Sequence, residues 1–170
     1  MSIKGTADLH TRTGFKFHVR PAGPDDQAAL KAFFAQVSPD DLRFRFLSPI
    51  QQVGQAQINA MTQVDHRQTE DLIAFDPETN LIVANAMIAA DKALNTAEVA
   101  ISIRSDMRGK GIAWTLLEHV AHYAKAAGIK KLQSIESREN HAAIDLEREM
   151  GFTASPYPED PTLVLLEAVL

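Results

Sequence analysis

The sequence contains no cysteine among its 170 residues. This excludes a disulfide framework, a thiolate metal site and a cysteine nucleophile, and it is compatible with the cytoplasm. An excess of positive charge is also missing. The chain has 17 Lys and Arg residues and 22 Asp and Glu residues, which gives a net charge of −5. That balance argues against a protein dedicated to binding nucleic acid.

Long hydrophobic runs are absent too. The longest, residues 81–90, contains Asn85 and is far too short to cross a bilayer, so no membrane association is expected. Residues 1–14 are polar and lack the apolar core of a signal peptide. We therefore expect a flexible N-terminal tail over residues 1–14, one folded domain over residues 15–170 and a cytoplasmic location. Hydrophobic residues make up 45% of the chain, enough to build a core.

Hydrophobic periodicity predicts a strand followed by helices, then three strands, then alternating helices and strands. Short turns join the three central strands, so we expect them to be antiparallel neighbours. The order predicts an α/β (α+β) fold, a single domain with a mixed central sheet and helices on both faces. The predicted strands are 15–20, 71–75, 81–89, 97–103, 131–135 and 162–169; the predicted helices are 25–37, a short one after Ser38, 55–62, 112–127 and 140–150.

A basic glycine turn separates the predicted strand 97–103 from the helix that follows. The bare N–H groups and the dipole at a helix N-terminus attract phosphate, and glycine lets the backbone approach closely. The turn is not a Walker A loop, because Arg104 takes the first glycine position, and not a dinucleotide fingerprint, because Trp114 takes the third. A tight connection without function is the alternative. The candidate ligand-binding residues in this turn are Arg108, Gly109, Lys110, Gly111, Ile112 and Ala113.

The pattern Arg-x-x-Gly-x-Ala in this turn resembles the pyrophosphate-binding turn of the GNAT superfamily of acyl-CoA-dependent N-acyltransferases. The resemblance continues in residues 140–152, which read Asn-x-x-Ala and then Gly-Phe. Within the superfamily, residues 38–46, 62–65 and 97–100 resemble the GNAT domain of bacterial protein lysine acetyltransferases. Residues 66–70 depart from that pattern, and the acceptor stays open.

This resemblance implies an enzyme that transfers an acetyl group from acetyl-CoA to a primary amine, with no metal. It implies that the backbone of Ile101 and Ile103 contacts the pantetheine arm of the cofactor. Asn140 contacts the same arm or only caps a helix. His119 and His122 lie three apart on one predicted helix, but no third metal ligand converges with them. The oligomeric state is not predicted.

Glu98 is the candidate general base. Lysine has a pKa near 10.4, so about one amine in a few thousand is neutral at pH 7, and a base supplies the neutral nucleophile. Strand alternation puts Glu98 on a small, polar face with Ala100 and Ser102, where a buried carboxylate would suit a substrate cleft. An exposed glutamate paired with a cation is the alternative, and the family resemblance favours the base.

Glu147 lies four residues before the glycine of Gly-Phe, where many members of the superfamily carry a tyrosine that acts as general acid. The lysine acetyltransferase subgroup also tends to lack this tyrosine. Three functions therefore remain open: acetylation of a protein lysine, which the resemblance favours; acetylation of a small amine such as a polyamine, an amino acid or an antibiotic; and a non-catalytic acyl-CoA-sensing regulatory module.

Overall fold

The structure, a computed structural model, describes residues 4–48, 50 and 52–170. Its strands are β1 (Ala7–His10), β2 (Lys16–Pro21), β3 (Thr69–Phe75), β4 (Ile82–Ala90), β5 (Thr96–Ile103), β6 (Lys131–Ser137), β7 (Thr153–Pro156) and β8 (Leu163–Val169). Its helices are α1 (Gln27–Phe34), α2 (Pro39–Phe46), α3 (Gln55–Thr62), α4 (Ile112–Ala126) and α5 (His141–Glu149), with 3-10 turns at Pro24–Asp26 and Ser105–Met107.

The described strands form one mixed sheet in the order β1-β2-β3-β4-β5-β6-β8-β7. All neighbours are antiparallel except β5 and β6. That parallel pairing extends only from Thr96 opposite Lys131 to Glu98 opposite Gln133, whereas β6 stays paired with β8 as far as Ser137. The sheet therefore opens into a gap between β5 and β6 beyond Glu98.

Helices cover both faces of the sheet, as predicted, because the strands bury side chains on both sides. On one face α4 buries its apolar stripe, which includes Leu116 and Val120, against the sheet. On the other face α1, α2 and α3 form a second core around Leu30, Phe34 and Ile58. The antiparallel meander β3-β4-β5 predicted from the short turns is also present.

The ends of the helices follow the capping residues in the sequence. Ser38 caps α2 by accepting a hydrogen bond from the Asp41 amide at 3.1 Å, with Pro39 at the first helical position. Gly128 follows α4 with a φ of +89°, the left-handed conformation that commonly ends a helix. The helix predicted over 25–37 is shorter, because Pro24–Asp26 forms a 3-10 turn and α1 ends at Phe34.

The N-terminal segment differs from the expected flexible tail. Residues 7–10 form β1, which pairs with β2 in a hairpin from Ala7 opposite Val19 to His10 opposite Lys16. Thr11 in the connecting turn is 1% exposed. The strand is short and half polar, so its alternation gives little signal, and its pairing with β2 holds it in place. Strand β7 was also not predicted, and it forms the far edge of the sheet beside β8.

None of the helices in the described ranges is long and apolar enough to cross a membrane.

Candidate functional site

A cavity of about 310 Å³ lies where β5 and β6 separate. Its walls come from α2, from β5 beyond Glu98, from the glycine turn and first turns of α4, from β6 and from α5. Residues that are far apart in sequence, from Asp41 to Glu147, thus line one cavity beside the parallel β5–β6 pair. This agrees with the general rule that ligands of open α/β sheets bind beyond the carboxyl ends of strands that part.

The glycine turn presents backbone to this cavity. Gly109 and Gly111 have φ values of +77° and +84°, which glycine adopts without the strain that a Cβ would add. Gly111 occupies the N-cap position of α4, and no side chain caps the helix there. Within the described chain, a Cβ built at Gly109 would have no atom within 4 Å. The turn therefore leaves uncapped N–H groups and open space, which fits a phosphate group.

The other predicted residues of the turn are placed differently. Ile112 is 1% exposed and packs in the core, so its amide is the part available to a ligand, and Ala113 lines the cavity. Arg108 lines the cavity and lies 3.5 Å from the Asp41 carboxylate, between Nη1 and Oδ2. Lys110 is exposed and does not line the cavity.

Ile101 and Ile103 both line the cavity. Because no strand of the described residues pairs with β5 on the β6 side beyond Glu98, its backbone N–H and C=O groups on that edge are available to an extended ligand. A chain with amide groups, such as pantetheine, could satisfy them as an added strand would.

Glu98 lies at the vertex of the gap, as the last β5 residue paired with β6. The expectation of a buried carboxylate is wrong: Glu98 is exposed, and its neighbours Val99 and Ala100 line the cavity while Glu98 does not. Partial removal from water still raises its pKa, and the positive charge of Arg45 opposes that rise. Glu98 is thus a solvent-accessible carboxylate at the vertex of the gap.

Asn140 lines the cavity and makes two side-chain hydrogen bonds at the start of α5. Its Oδ1 accepts a hydrogen bond from the Ala143 amide at 3.4 Å, which caps the helix. Its Nδ2 donates to Glu136 Oε2 at 3.3 Å. The helix-cap alternative is therefore present in the structure, together with a second role in holding Glu136.

A pair of carboxyl groups, from Glu136 and Glu147, also lines the cavity. Glu136 on β6 accepts a hydrogen bond from the Ser134 hydroxyl at 2.8 Å. Glu147 on α5 is 4% exposed, and burial together with the charge of Glu136 raises its pKa to about 9. Sequence reasoning missed Glu136 and Ser134. The available signal was their period-two spacing on β6, which puts two polar side chains on one face of a strand.

Sequence reasoning also missed Arg45 on α2, because nothing in the sequence distinguishes it from the other charged residues of that short helix. It lines the cavity, and its Nε is buried with no hydrogen-bond partner in the described chain. Burial lowers its pKa, while the carboxylates of Asp71, Glu98 and Glu136 raise it. Arg45 therefore supplies positive charge beside the carboxylates of Asp71, Glu98 and Glu136.

The remaining candidates do not join the cavity. In the described ranges, no group of three or more His, Cys, Asp or Glu could hold a metal ion. His119 Nε2 lies 2.7 Å from the Gly5 carbonyl oxygen, and His122 is exposed. Neither tyrosine, Tyr123 or Tyr157, lines the cavity.

A gap beside the parallel β5–β6 pair, with a basic glycine turn and a bare helix N-terminus, is the arrangement of an N-acetyltransferase fold. The sequence model of the acetyltransferase (GNAT) family matches residues 41–152, and the chain belongs to this family. This confirms the predicted superfamily, the single mixed-sheet domain and the class of activity, an N-acetyltransferase that transfers acetyl to an amine.

Several proteins are similar to the chain. It is 28% identical over 149 residues to the acetyltransferase PA5475 of Pseudomonas aeruginosa, covering 86% of this chain and 80% of that protein. The crystal structure of the GNAT domain of S. lividans PAT matches with a TM-score of 0.91 and 26% identity over 100% of this chain and 99% of that one. Spermidine N-acetyltransferase from Vibrio cholerae, solved with CoA and spermine, matches in fold with a TM-score of 0.72 and 15% identity over 90% of this chain and 95% of that one. Enzymes of this fold use acetyl-CoA.

Proposed function

We propose that this enzyme acetylates the ε-amine of a lysine in a protein, with Glu98 as general base. The observation that carries the proposal is the position of Glu98 at the solvent-facing vertex of the β5–β6 gap. A lysine on a protein surface must approach from solvent, and an exposed carboxylate at the vertex of the gap can meet it there. The match of the whole chain to the GNAT domain of S. lividans PAT supports the same acceptor class.

Acetyl-CoA supplies an activated acetyl group, so this chain needs no nucleophile of its own. We assign its pyrophosphate to the backbone of residues 109–113, with the Arg108 side chain nearby and Lys110 as a solvated cation of the turn. The pantetheine arm would lie along the free edge of β5 at Ile101 and Ile103. Asn140 would contact the arm while it caps α5. The uncapped α4 N-terminus and the open space at Gly109 support these assignments.

Glu98 would accept the proton of the incoming ammonium, directly or through a water molecule. Its raised pKa makes the carboxylate a better base than an ordinary glutamate while leaving it accessible. The acidic balance of the chain, a net charge of −5, also suits a cationic acceptor. The neutral amine then attacks the thioester in one direct transfer step.

Two other functions follow from the sequence, and one of them has support. A small polyamine is a cationic acceptor too, and the V. cholerae neighbour is a spermidine N-acetyltransferase of the same fold. A non-catalytic sensor of acyl-CoA would use the cavity without needing Glu98. The polyamine alternative differs from the proposal in the amine that is acetylated. The sensor alternative differs in that no amine is acetylated.

Release of free CoA distinguishes the three functions. Because the chain has no cysteine, a thiol reagent reports CoA without background from the enzyme. Acetyl-CoA is mixed with lysine-containing proteins, with the same proteins after their lysines are acetylated, and with spermidine and free amino acids. The proposal expects turnover on the unmodified proteins only. Higher kcat/KM for a small amine would reject the protein acceptor, and binding of acetyl-CoA without any turnover would favour the sensor.

The base is tested with Glu98→Gln, which keeps the size of the side chain and removes its basicity. We expect kcat to fall by roughly 10²- to 10³-fold, with nearly unchanged acetyl-CoA affinity, because a general base contributes on that order. The acidic limb of the pH profile should disappear as well. Glu118→Gln, an exposed glutamate on α4, is the matched control. Wild-type turnover in Glu98→Gln would remove Glu98 from the mechanism.

A further inference from the structure

The face of the sheet that carries Glu98 is covered by helices only in part. Met87 of β4 is paired with Ala100 on this face, and it packs against the second core, under α1, α2 and α3. Among the described residues, that core includes none from β6 or β8. Because Glu98 is paired with Gln133, the same face of the sheet continues onto β6 beyond the second core.

Apolar side chains line this part of the face. Strand register places Ile135 of β6 opposite Leu165 of β8, on the same face as Gln133. Leu163 lies two residues before Leu165, and the Tyr157 amide donates to the Leu163 carbonyl at 3.2 Å. The three aliphatic side chains pack against neither hydrophobic core of the described chain. All four side chains are partly exposed, and they are the apolar strip: Ile135, Tyr157, Leu163 and Leu165.

The apolar strip is continuous with the cavity. Ile135 lines the cavity and lies two residues beyond Gln133, the strand partner of Glu98. At the other end of the strip, the charge of Glu159 is the main cause of the raised pKa of Tyr157, and the charge of Glu98 adds to it. Tyr157 therefore lies within electrostatic range of Glu98. A polypeptide that brings an amine to Glu98 has the apolar strip beside it.

We propose that the apolar strip binds the acceptor protein and selects a lysine that has an apolar residue one or two positions away. The inference rests on the proposed function, acetylation of a protein lysine, and adds a sequence preference to it. An extended chain advances about 3.3 Å per residue and neighbouring strands lie about 4.8 Å apart. A residue that close to the lysine can therefore contact Ile135 and Leu165 while the lysine side chain enters the gap. Contiguous exposed apolar surface is typical of an interaction site.

Charge favours a cationic acceptor over a second copy of this chain as the occupant. The exposed carboxylates of Glu98 and Glu159 lie at the two ends of the strip, and the Tyr157 hydroxyl donates to Glu159 at 3.4 Å. Glu167, on the same face of β8, is paired with Lys131 at 3.2 Å. A lysine ammonium is attracted to the first two carboxylates. Two copies of this face would bring like charges together, which costs energy, and would cover Glu98.

Short peptides test the preference on the wild-type enzyme. Each peptide contains a single lysine, with leucine, phenylalanine or serine one or two positions away and glycine elsewhere. With acetyl-CoA, we expect kcat/KM to be about 5- to 30-fold higher with leucine or phenylalanine than with serine, mainly through a lower KM, because one apolar side chain leaves water. Equal kcat/KM for the leucine and serine peptides would overturn this inference and leave acetylation of protein lysines in place. Turnover on spermidine but on no peptide would reject the proposed function, and this inference with it.

Leu165→Asn tests the strip itself, since asparagine is similar in shape to leucine but polar. The preference for the leucine peptide should disappear, and KM for acetyl-CoA should stay nearly the same. Leu81→Asn is the matched control, because Leu81 is 51% exposed and lies in the turn between β3 and β4; it should keep the preference. Leu163→Asn provides a second test should Leu165→Asn fail to fold. A preference that survives in the folded strip variants would overturn the assignment.

The competing occupant, a second copy of this chain, is tested by sedimentation. We expect wild type and Leu165→Asn to have the same mass in solution. A wild-type dimer that Leu165→Asn dissociates would show that a second copy covers the apolar strip, and would overturn the acceptor as its occupant.

Discussion

The guanidinium carbon of Arg12 lies 4.3 Å from the centre of the Trp114 ring, which connects the N-terminal hairpin to the first turn of α4. The same hairpin contacts the glycine turn, since Thr13 Oγ1 donates to the Lys110 carbonyl at 3.3 Å. Thr11 lies below Gly111, where its Cβ would be 3.5 Å from an added Cβ. The hairpin therefore supports the turn that we assign to the CoA pyrophosphate.

Arg12→Ala should weaken acetyl-CoA binding without changing chemistry. A cation over an indole ring at a partly exposed site contributes about 0.5–1 kcal/mol, which corresponds to about a 2- to 5-fold increase in Kd. We expect that increase in calorimetric titrations with acetyl-CoA, with kcat unchanged at saturation. Lys16→Ala removes an exposed cation from the same hairpin and should leave Kd unchanged. Equal Kd values for the two variants would show that the hairpin does not support the turn.

Gly109→Ala should impair cofactor binding beyond its effect on stability. The left-handed φ of +77° at Gly109 costs an alanine about 1–2 kcal/mol, and the new methyl group would enter the open space of the turn. Thermal unfolding should report a modest loss of stability. Titration should report a loss of acetyl-CoA affinity of at least 10-fold.

Gly128→Ala is the matched control for that prediction. Gly128 has a φ of +89° and, like Gly109, nothing in the described chain within 4 Å of an added Cβ. It lies at the opposite end of α4, far from the turn in sequence, and carries the same backbone strain. We expect a similar drop in Tm and no change in affinity. A parallel loss of affinity in both variants would mean that general destabilisation, rather than the turn, explains Gly109→Ala.

Much of the fold could be predicted because local signals agree along the chain. Three of these signals are the alternation of apolar and polar residues in the central strands, the helix cap at Ser38 and the helix end at Gly128. Each depends on residues that are close in sequence, so the sequence alone reveals it. Strand β1 of the β1–β2 hairpin was not predicted because it is only four residues long and is held in place by pairing with β2 rather than by a strong pattern of its own. Sequence patterns carry little information about such pairing.

The site could be predicted only in part, for a related physical reason. The glycine turn and Glu98 lie on one continuous segment, so motif spacing could place them. Glu136, Glu147 and Arg45 come from three separate elements, and only the folded chain brings them to one cavity. Sequence alternation also predicts which face Glu98 occupies but not its exposure. Exposure depends on where β6 separates from β5, which is a property of the tertiary structure.

Asp26→Asn should lower stability in a pH-dependent way. Arg20 donates to Asp26 from Nη2 to Oδ1 at 2.7 Å and from Nη1 to Oδ2 at 2.9 Å, and the Gly23 amide donates to Oδ2 at 2.8 Å. The hydrogen bond from Arg20 is the main reason that the pKa of Asp26 lies below its usual value. Asparagine keeps an acceptor but loses the charge, and hydrogen bonds to charged groups contribute about 1.5–3 kcal/mol.

The sign of the pH dependence follows from the lowered pKa. Asp26 stabilises the folded state fully above the pKa of the unfolded chain, near 3.9, and this contribution is lost as pH falls through the lower folded-state value. At pH 7 we expect Asp26→Asn to unfold roughly 3–12 °C below wild type, at about 2–4 °C per kcal/mol, and the difference should shrink as pH falls below about 4. Asp25→Asn, the exposed neighbour in the same 3-10 turn, should match wild type at pH 7. A Tm difference for Asp26→Asn that stays constant from pH 7 to pH 3 would contradict an ionised Asp26 as the source of the stabilisation.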